Sequence, residues 1–464
     1  MKKIVLSVTT VMIAAAFAPE ASALPVFARQ TGMACSACHF QHFPLLNRFG
    51  RAFKSAGFTM MGAQAVVEEE DNKEKTLSIP SNLNMAILTS LGYVKNNSTP
   101  DTSGVTKNLG NGYWALPGTQ ESGGDSEASL FIGGRVSEFA GFLSEITLAP
   151  TAALDSAKMP ILFPVGNARV GFVPFTTNGQ GASYSMETLN TGANAIHSMS
   201  NTVGPNGTFI NAISAQQYIG TATGATGIGI VATSDMGFFN LTKYSQSDIV
   251  NAQPAALGST YLRLVGLFDL GDWDAGVGIQ NWSGSSAISP GSATFNNEGI
   301  YTQGSVSMMQ QTRASAIDGQ LQGQIGDMPL GIYASYARAP AAAAGDAINT
   351  YNGGTMTRSS FNIAAELGIL PNLATLGVAI RQGKSGVDQG YANASVANGV
   401  NATDNAFYLT ATYKLQQNML ARLSYVSNSG SFWSQANDPK NTTNGTNKQV
   451  LGSKTTMMNM YVLF

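Results

Sequence analysis

The sequence predicts an all-β protein: a transmembrane β-barrel of about 16 antiparallel strands behind a short N-terminal helical segment. Three observations predict it. From about residue 81 onward, apolar and polar residues alternate with period two in many short segments. Tight turns and longer polar loops join these segments in alternation. The chain ends "MMNMYVLF", with Met460, Val462 and Phe464 falling on one face.

Composition narrows the function classes. The 464 residues carry a net charge of −2, only 11% charged side chains and 51 glycines. Without a basic excess, nucleic acid is not expected as a partner. Mean hydropathy is +0.02. No run approaches the ~20 apolar residues that a spanning helix needs, so a membrane would have to be crossed by strands.

Residues 1–23 read as a secretory signal peptide. Lys2 and Lys3 precede an apolar run from Ile4 to Ala18, and Ala21-Ser22-Ala23 supplies the cleavage pattern. Export of a mature chain beginning at Leu24 follows.

Residues 24–64 hold most of the reactive chemistry. The stretch "GMACSACHFQHFPLLNRFGRAFK" (32–54) contains both cysteines and two of the three histidines. Cys35, Cys38 and His39 form C-x-x-C-H, which in an exported chain reads as covalent attachment of one haem c. Thiols at i and i+3 sit one turn apart and can bond both vinyl groups, and the next histidine is placed to ligate the iron. A thioredoxin-like pair would want a βαβ setting, and a disulfide needs no following histidine. His42 is not expected to be the sixth ligand: in a helix it would share a face with His39. It is left as a pocket or surface histidine, or a propionate donor. Met60 and Met61, in "GFTMMG", are the candidates for the opposite side of the haem, with simple packing as the alternative. Met33 lies too near Cys35, and His197 is remote in the chain. Phe40, Phe43, Phe49 and Phe53 suit a haem pocket. Arg48, Arg51 and Lys54 would either neutralise propionates or form a solvated helix face.

Residues 65–80 form a charged connector, "AVVEEEDNKEK" and its sequel. A metal site in Glu68, Glu69, Glu70 and Asp71 is the alternative to a solvated linker.

Residues 81–464 form the barrel. Phe407, Leu409, Ala411, Tyr413 and Leu415 share one face, with Tyr408, Thr410, Thr412 and Lys414 opposite. Ala374, Leu376, Val378 and Ile380 likewise oppose Thr375 and Arg381, and Met419 to Tyr425 places Arg422 and Ser424 together. A soluble sandwich would turn the apolar face inward, whereas a membrane barrel turns it outward. The barrel is favoured by segment number and by the alternation of turns such as "LGDWD" (270–274), "IGDMP" (325–329) and "LPN" (370–372) with loops such as 178–211 and 386–404. About sixteen strands leave an open lumen. Arg263, Arg381 and Arg422 would face it, solvating a channel or pairing with acids such as Glu366.

The stretch from Pro25 to Phe58, "PVFARQTGMACSACHFQHFPLLNRFGRAFKSAGF", resembles the fused monohaem cytochrome–porins of the bacterial outer membrane, the iron-oxidising outer-membrane c-type cytochromes. The A-R-Q-T-G lead, C-x-x-C-H, F-Q-H and F-G-R-x-F-K carry the resemblance. The rest resembles that family only in length, pattern and terminal Phe464. A ~40-residue haem segment has too little core to fold alone, so it is expected to plug the lumen. The resemblance implies one covalent haem and a porin of about sixteen strands. It implies an Fe(II) oxidase that takes electrons from extracellular Fe(II) and passes them to a periplasmic cytochrome, in contact with outer-membrane lipid. It assigns attachment to Cys35 and Cys38 and proximal ligation to His39, and leaves Met60 and Met61 open. Two other readings stand beside it: a solute porin with a haem-bearing plug, and the same conduit with a different extracellular donor.

Overall fold

The computed structural model describes residues 26–62, 64–68, 78–97, 112–115, 128–148, 153–192, 214–246, 257–288, 293–295, 301–303, 308–343, 346–388, 399–432 and 454–464. The signal peptide, His197, and Glu69, Glu70 and Asp71 of the connector lie outside the described residues.

Sixteen antiparallel strands close into one barrel among the described residues. In chain order they are β1 (Asn84–Asn96), β2 (Tyr113–Ala115 with Ala128–Arg135), β3 (Gly141–Thr147) and β4 (Ala153–Lys158 with Ile161–Val165). There follow β5 (Ala168–Thr177), β6 (Ala225–Ser234), β7 (Gly237–Ser245), β8 (Ser259–Asp269) and β9 (Asp274–Ile288). Next come β10 (Met308–Gln311 with Ala314–Ile325), β11 (Met328–Ala339), β12 (Arg358–Leu370) and β13 (Ala374–Asp388). The set ends with β14 (Asn401–Gln416), β15 (Met419–Ser429) and β16 (Lys454–Leu463). Each pairs with its neighbours, and β16 pairs back onto β1, Thr455 opposite Asn96 through Leu463 opposite Leu88. Among the described residues, no strand of the barrel ends the sheet with an unpaired edge.

The strands exist because of their period, and the faces settle what surrounds them. Phe361, Ile363, Leu376, Val378, Ile380, Phe407 and Leu409 point outward and are 39–49% exposed. Between them Asn362, Glu366, Arg381 and Thr410 point inward and are at most 5% exposed. An apolar exterior over a polar interior is the arrangement of a barrel that spans a membrane, and the inverse of a soluble sandwich. At the closing strand Met458 and Phe464 are exposed, while Asn459 and Tyr461 face in.

The two ends of the barrel differ. At one end the connections are short: 136–140, 166–167, 235–236, 270–273, 326–327, 371–373 and 417–418. The three turns read from the sequence are among them, with Asn372 in the left-handed region at φ 58°. The connections of the other end are longer. Val66–Glu68 and Ser78–Pro80 pair as a two-stranded ribbon at the short-turn end, where Arg135 Nη2 donates to Ser78 Oγ (2.7 Å).

The lumen is occupied, as expected for the N-terminal segment, but by one segment more than the sequence suggested. Two segments occupy it. The first is residues 26–62, with helices α1 (Val26–Thr31), α2 (Cys35–Cys38) and α3 (Arg48–Ser55). Its contacts run round the inner wall near the short turns. Gln30 Oε1 accepts from the Arg135 amide (3.1 Å), Thr233 Oγ1 donates to the Ser55 carbonyl (3.2 Å), and Gln41 Nε2 donates to the Pro329 carbonyl (2.8 Å). Leu45, fully buried, packs with inward Val94, Tyr333, Tyr408 and Met457.

The second is the connection after β5, expected to be a polar outer loop. Its described parts, 178–192 and 214–224, fold inward instead. Ala182, Tyr184, Tyr218 and Ile219 join Tyr244, Tyr261, Trp282 and Tyr351 in the core of the long-loop half, and α4 (Ala215–Ile219) lies among them. One buried cluster holds this loop. Arg263 grips Asp318 of β10 with both terminal nitrogens, and its Nε stands 3.0 Å from Oε2 of Glu187 on the loop. Arg381 pairs with Asp404 (2.7 Å) and Arg422 donates to Tyr461 (3.1 Å). The three arginines therefore face the lumen as expected, but Glu366 is paired elsewhere.

Candidate haem site

Residues 38–47 form a tight two-stranded turn that carries the motif. The Phe40 amide donates to the Leu45 carbonyl (2.8 Å) and the Asn47 amide to the Cys38 carbonyl (3.0 Å), so His39 stands opposite Leu46. Asn47 Oδ1 then caps α3 by accepting from the Gly50 amide (2.9 Å). Gly57, at φ 70° just past the helix end, stops α3. Gly50 is required for packing rather than for backbone freedom: a Cβ there would stand 2.1 Å from the Cys38 carbonyl oxygen.

The glycine gives a test. Alanine favours a helix over glycine by ~1 kcal/mol. Contact with an unyielding backbone outweighs this, so Gly50→Ala is expected to push α3 off α2. The yield of covalently haem-loaded protein should fall severalfold, measured by haem absorbance per protein.

The residues present fit a covalently bound haem. Cys35 and Cys38 are free, partly exposed thiols one helical turn apart. Burial pushes both thiols above the ordinary range, and the charge of Lys414 acts the other way on Cys35. A redox-active dithiol needs the opposite shift, so the alternative of a thioredoxin-like pair loses support. His39 leaves α2 in an extended conformation, and its Nδ1 lies 3.1 Å from the Leu45 carbonyl oxygen. A carbonyl only accepts, so Nδ1 carries the proton and Nε2 keeps its lone pair. Burial pushes the His39 pKa down to about 4, with hydrogen bonds from the ring to the Leu45 and Pro44 carbonyls acting upward. Burial thus disfavours a proton on Nε2, the nitrogen that would ligate.

His42 is not a ligand in waiting, though not for the reason read from the sequence. Residues 40–45 are not helical, so His39 and His42 do not share a helix face. Instead, both ring nitrogens of His42 are engaged: Nδ1 with the Phe43 carbonyl (2.8 Å) and Nε2 with Glu366 Oε1 on β12 (2.7 Å). With both nitrogens committed to partners in the chain, neither is left to bind a metal.

Each basic residue of α3 has an acidic neighbour on the barrel wall or the in-folded loop. Arg48 pairs with Asp269, exposed, and Arg51 with Asp274, buried, at the two ends of the β8–β9 turn. The exposed pair is worth at most about 1 kcal/mol; removing one partner of a buried pair costs more, about 3–5 kcal/mol. Lys54 faces Glu187, whose charge opposes the lowering of its pKa by burial.

The aromatic residues divide. Phe53 packs with Phe27 and Phe58, ring centroids 5.1 and 5.9 Å apart, as the core of this segment. Phe40 packs on the inner barrel wall, and Phe43 meets the His39 ring edge-on at 5.3 Å. Met60 runs beside α1: Gln30 Nε2 donates to the carbonyls of Phe58 and Met60 (2.7 Å each). The Gly62 amide donates to the Gln30 carbonyl (3.3 Å). Met60 and Met61 are both half-buried, next to the helix that leads into the motif.

Sequence reading missed Leu45, Leu46, Asn190 and Glu366 as members of the site. The first two act through backbone, which no side-chain pattern reveals. Asn190 and Glu366 are remote in the chain, although Tyr184, Met186 and Leu189 are apolar residues that a solvated outer loop would not need.

No protein-family model matches the chain, and no curated protein does. Among solved structures it is similar to outer-membrane expressed OmpT of Vibrio cholerae, at 10% identity over 82% of this chain and 97% of that one, TM-score 0.42. It is similar to OmpF of Salmonella typhi in complex with daunomycin, at 10% identity over 86% and 100%, TM-score 0.45. The outer membrane channel DcaP of Acinetobacter baumannii gives 11% identity over 82% and 97%, TM-score 0.41. The barrel assignment itself rests on strand closure and on the apolar outer face.

Proposed function

We propose that this chain is an outer-membrane electron conduit that oxidises extracellular Fe(II) and passes electrons to a periplasmic cytochrome. The observation that carries the reading is the Cys35–Cys38–His39 unit: two free thiols one turn apart beside an imidazole whose Nδ1 proton is held by Leu45. Cys35 and Cys38 would form the two thioethers, His39 Nε2 would bind the iron, and Met60 or Met61 would supply a further ligand. When bound, the haem supplies a one-electron site, able to accept the electron that Fe(II) loses on becoming Fe(III) and to yield it to the carrier. Leu45 fixes the ring of His39 and keeps its proton on Nδ1. The His42–Glu366 and Arg51–Asp274 pairs tether the segment to the wall as a plug. The in-folded loop occupies the other half of the lumen.

Two segments lying in the lumen support the conduit over a solute porin, since a diffusing solute needs a continuous aqueous path. Fe(II) as donor rests on the resemblance of residues 25–58. Mixing the haem-loaded protein with Fe(II) without oxygen tests it. Appearance of the reduced haem spectrum is the expected result. A haem reduced by dithionite but not by Fe(II) would point to another donor.

Methionine ligation has its own expected outcome. Replacing Met60 and Met61 together by alanine should abolish the near-infrared methionine charge-transfer band of the ferric protein and lower its potential, because a thioether ligand raises it. His42→Ala should leave that band in place. A band that survives the double replacement rules both methionines out.

A further inference from the structure

The Leu45 carbonyl and the Leu46 amide belong to one planar peptide unit. The carbonyl side of that unit accepts from His39 Nδ1 (3.1 Å) and from the Phe40 amide (2.8 Å). The amide side points away from the turn, toward the loop that descends from the opposite end of the barrel. There Asn190 takes it. The Leu46 amide donates to Asn190 Oδ1 (2.8 Å), and Asn190 Nδ2 donates to the Leu46 carbonyl (2.9 Å). One side-chain amide thus continues the ladder that residues 38–40 and 45–47 begin, satisfying both backbone groups of Leu46.

Asn190 is itself held firmly. It is 1% exposed, and its own amide donates to Gln320 Oε1 on β10 (2.7 Å). Its neighbour Thr191 donates to Asp318 Oδ2 (2.6 Å), and Glu187 is clamped by Arg263. A rigid wall therefore positions Asn190, Asn190 positions one peptide, and that peptide orients the imidazole.

We propose that Asn190 is a positioning residue for the haem: from the in-folded loop it fixes the Leu45–Leu46 peptide and so the hydrogen bond on His39 Nδ1. The inference rests on the haem reading above. Its consequence is that the long-loop side of the barrel sets part of the haem potential. A hydrogen-bonded Nδ1 makes the imidazole a stronger donor, which favours ferric iron. Loosening the peptide weakens that bond and raises the potential.

The test compares Asn190→Leu, which keeps size and removes both hydrogen bonds, with Thr191→Val, which disturbs the same loop without touching Leu46. The readout is the midpoint potential of the haem-loaded protein, titrated spectroscopically. Asn190→Leu should keep its covalent haem and change the ferric-to-ferrous preference by about tenfold, a rise of about 59 mV for one electron. Thr191→Val should move it by less than a third of that. Retained haem with an unchanged potential in Asn190→Leu, or equal shifts in both variants, overturns the proposal. Should Asn190→Leu fail to fold, hydrogen exchange on the haem-loaded wild type decides. A strongly protected Leu46 amide supports the contact, and free exchange overturns it. Absence of covalent haem from the wild type would instead overturn the haem reading, and this proposal with it.

Discussion

Replacing Cys35 and Cys38 together by alanine is expected to abolish covalent haem while leaving the barrel folded. Both thiols lie on α2, which adds nothing to the strand closure, so the heat-resistant migration of a folded barrel in detergent electrophoresis should persist. Haem staining of the denatured chain should vanish. Either single replacement should leave at most one thioether, visible as a red shift of the reduced α band. Haem that stays with the chain through denaturation in the double variant would remove the attachment site from Cys35 and Cys38.

The second large effect concerns Arg263. It is fully buried, with Asp318 on the wall and Glu187 on the in-folded loop both drawn to it. Arg263→Leu would leave Asp318 and Glu187 facing each other without the guanidinium that joins them. Removing one partner of such a buried cluster costs about 3–5 kcal/mol, and the loop, held by fewer contacts than the strands, is the part able to move. The variant is expected to release the loop and conduct ions in planar bilayers, where the wild type stays closed. Glu187→Gln keeps the Arg263–Asp318 pair and should conduct much less. A variant as tight as the wild type would show that the loop is held by something other than this cluster.

How far the sequence could be read depended on how local each interaction is. Strands such as β13 and β14 were legible because period two is a property of neighbours. Val378 and Arg381 take opposite faces whatever lies across the barrel. The Cys35–Cys38–His39 unit was legible for the same reason, its parts lying within five residues. What failed was long-range. His42 meets Glu366, and Arg51 meets Asp274, only after the barrel has closed around the segment. The connection after β5 was read as an outer loop because its length and polarity fit one. Glu187, a lone acid among small residues, finds its reason only in Arg263. Pairings of that kind leave no spacing to read. A filled lumen could therefore be expected from the N-terminal segment, but not its second occupant.

In the function proposed, electrons cross this barrel and iron does not. Proteoliposomes of known orientation, with an Fe(II) chelator trapped inside and Fe(II) supplied at the long-loop face, test it directly. The account predicts that the haem is reduced while the trapped chelator stays uncoloured, and that an oxidised cytochrome enclosed in its place becomes reduced. Haem reduction that appears only as the chelator colours would mean that iron passes through the wall, and would contradict the conduit.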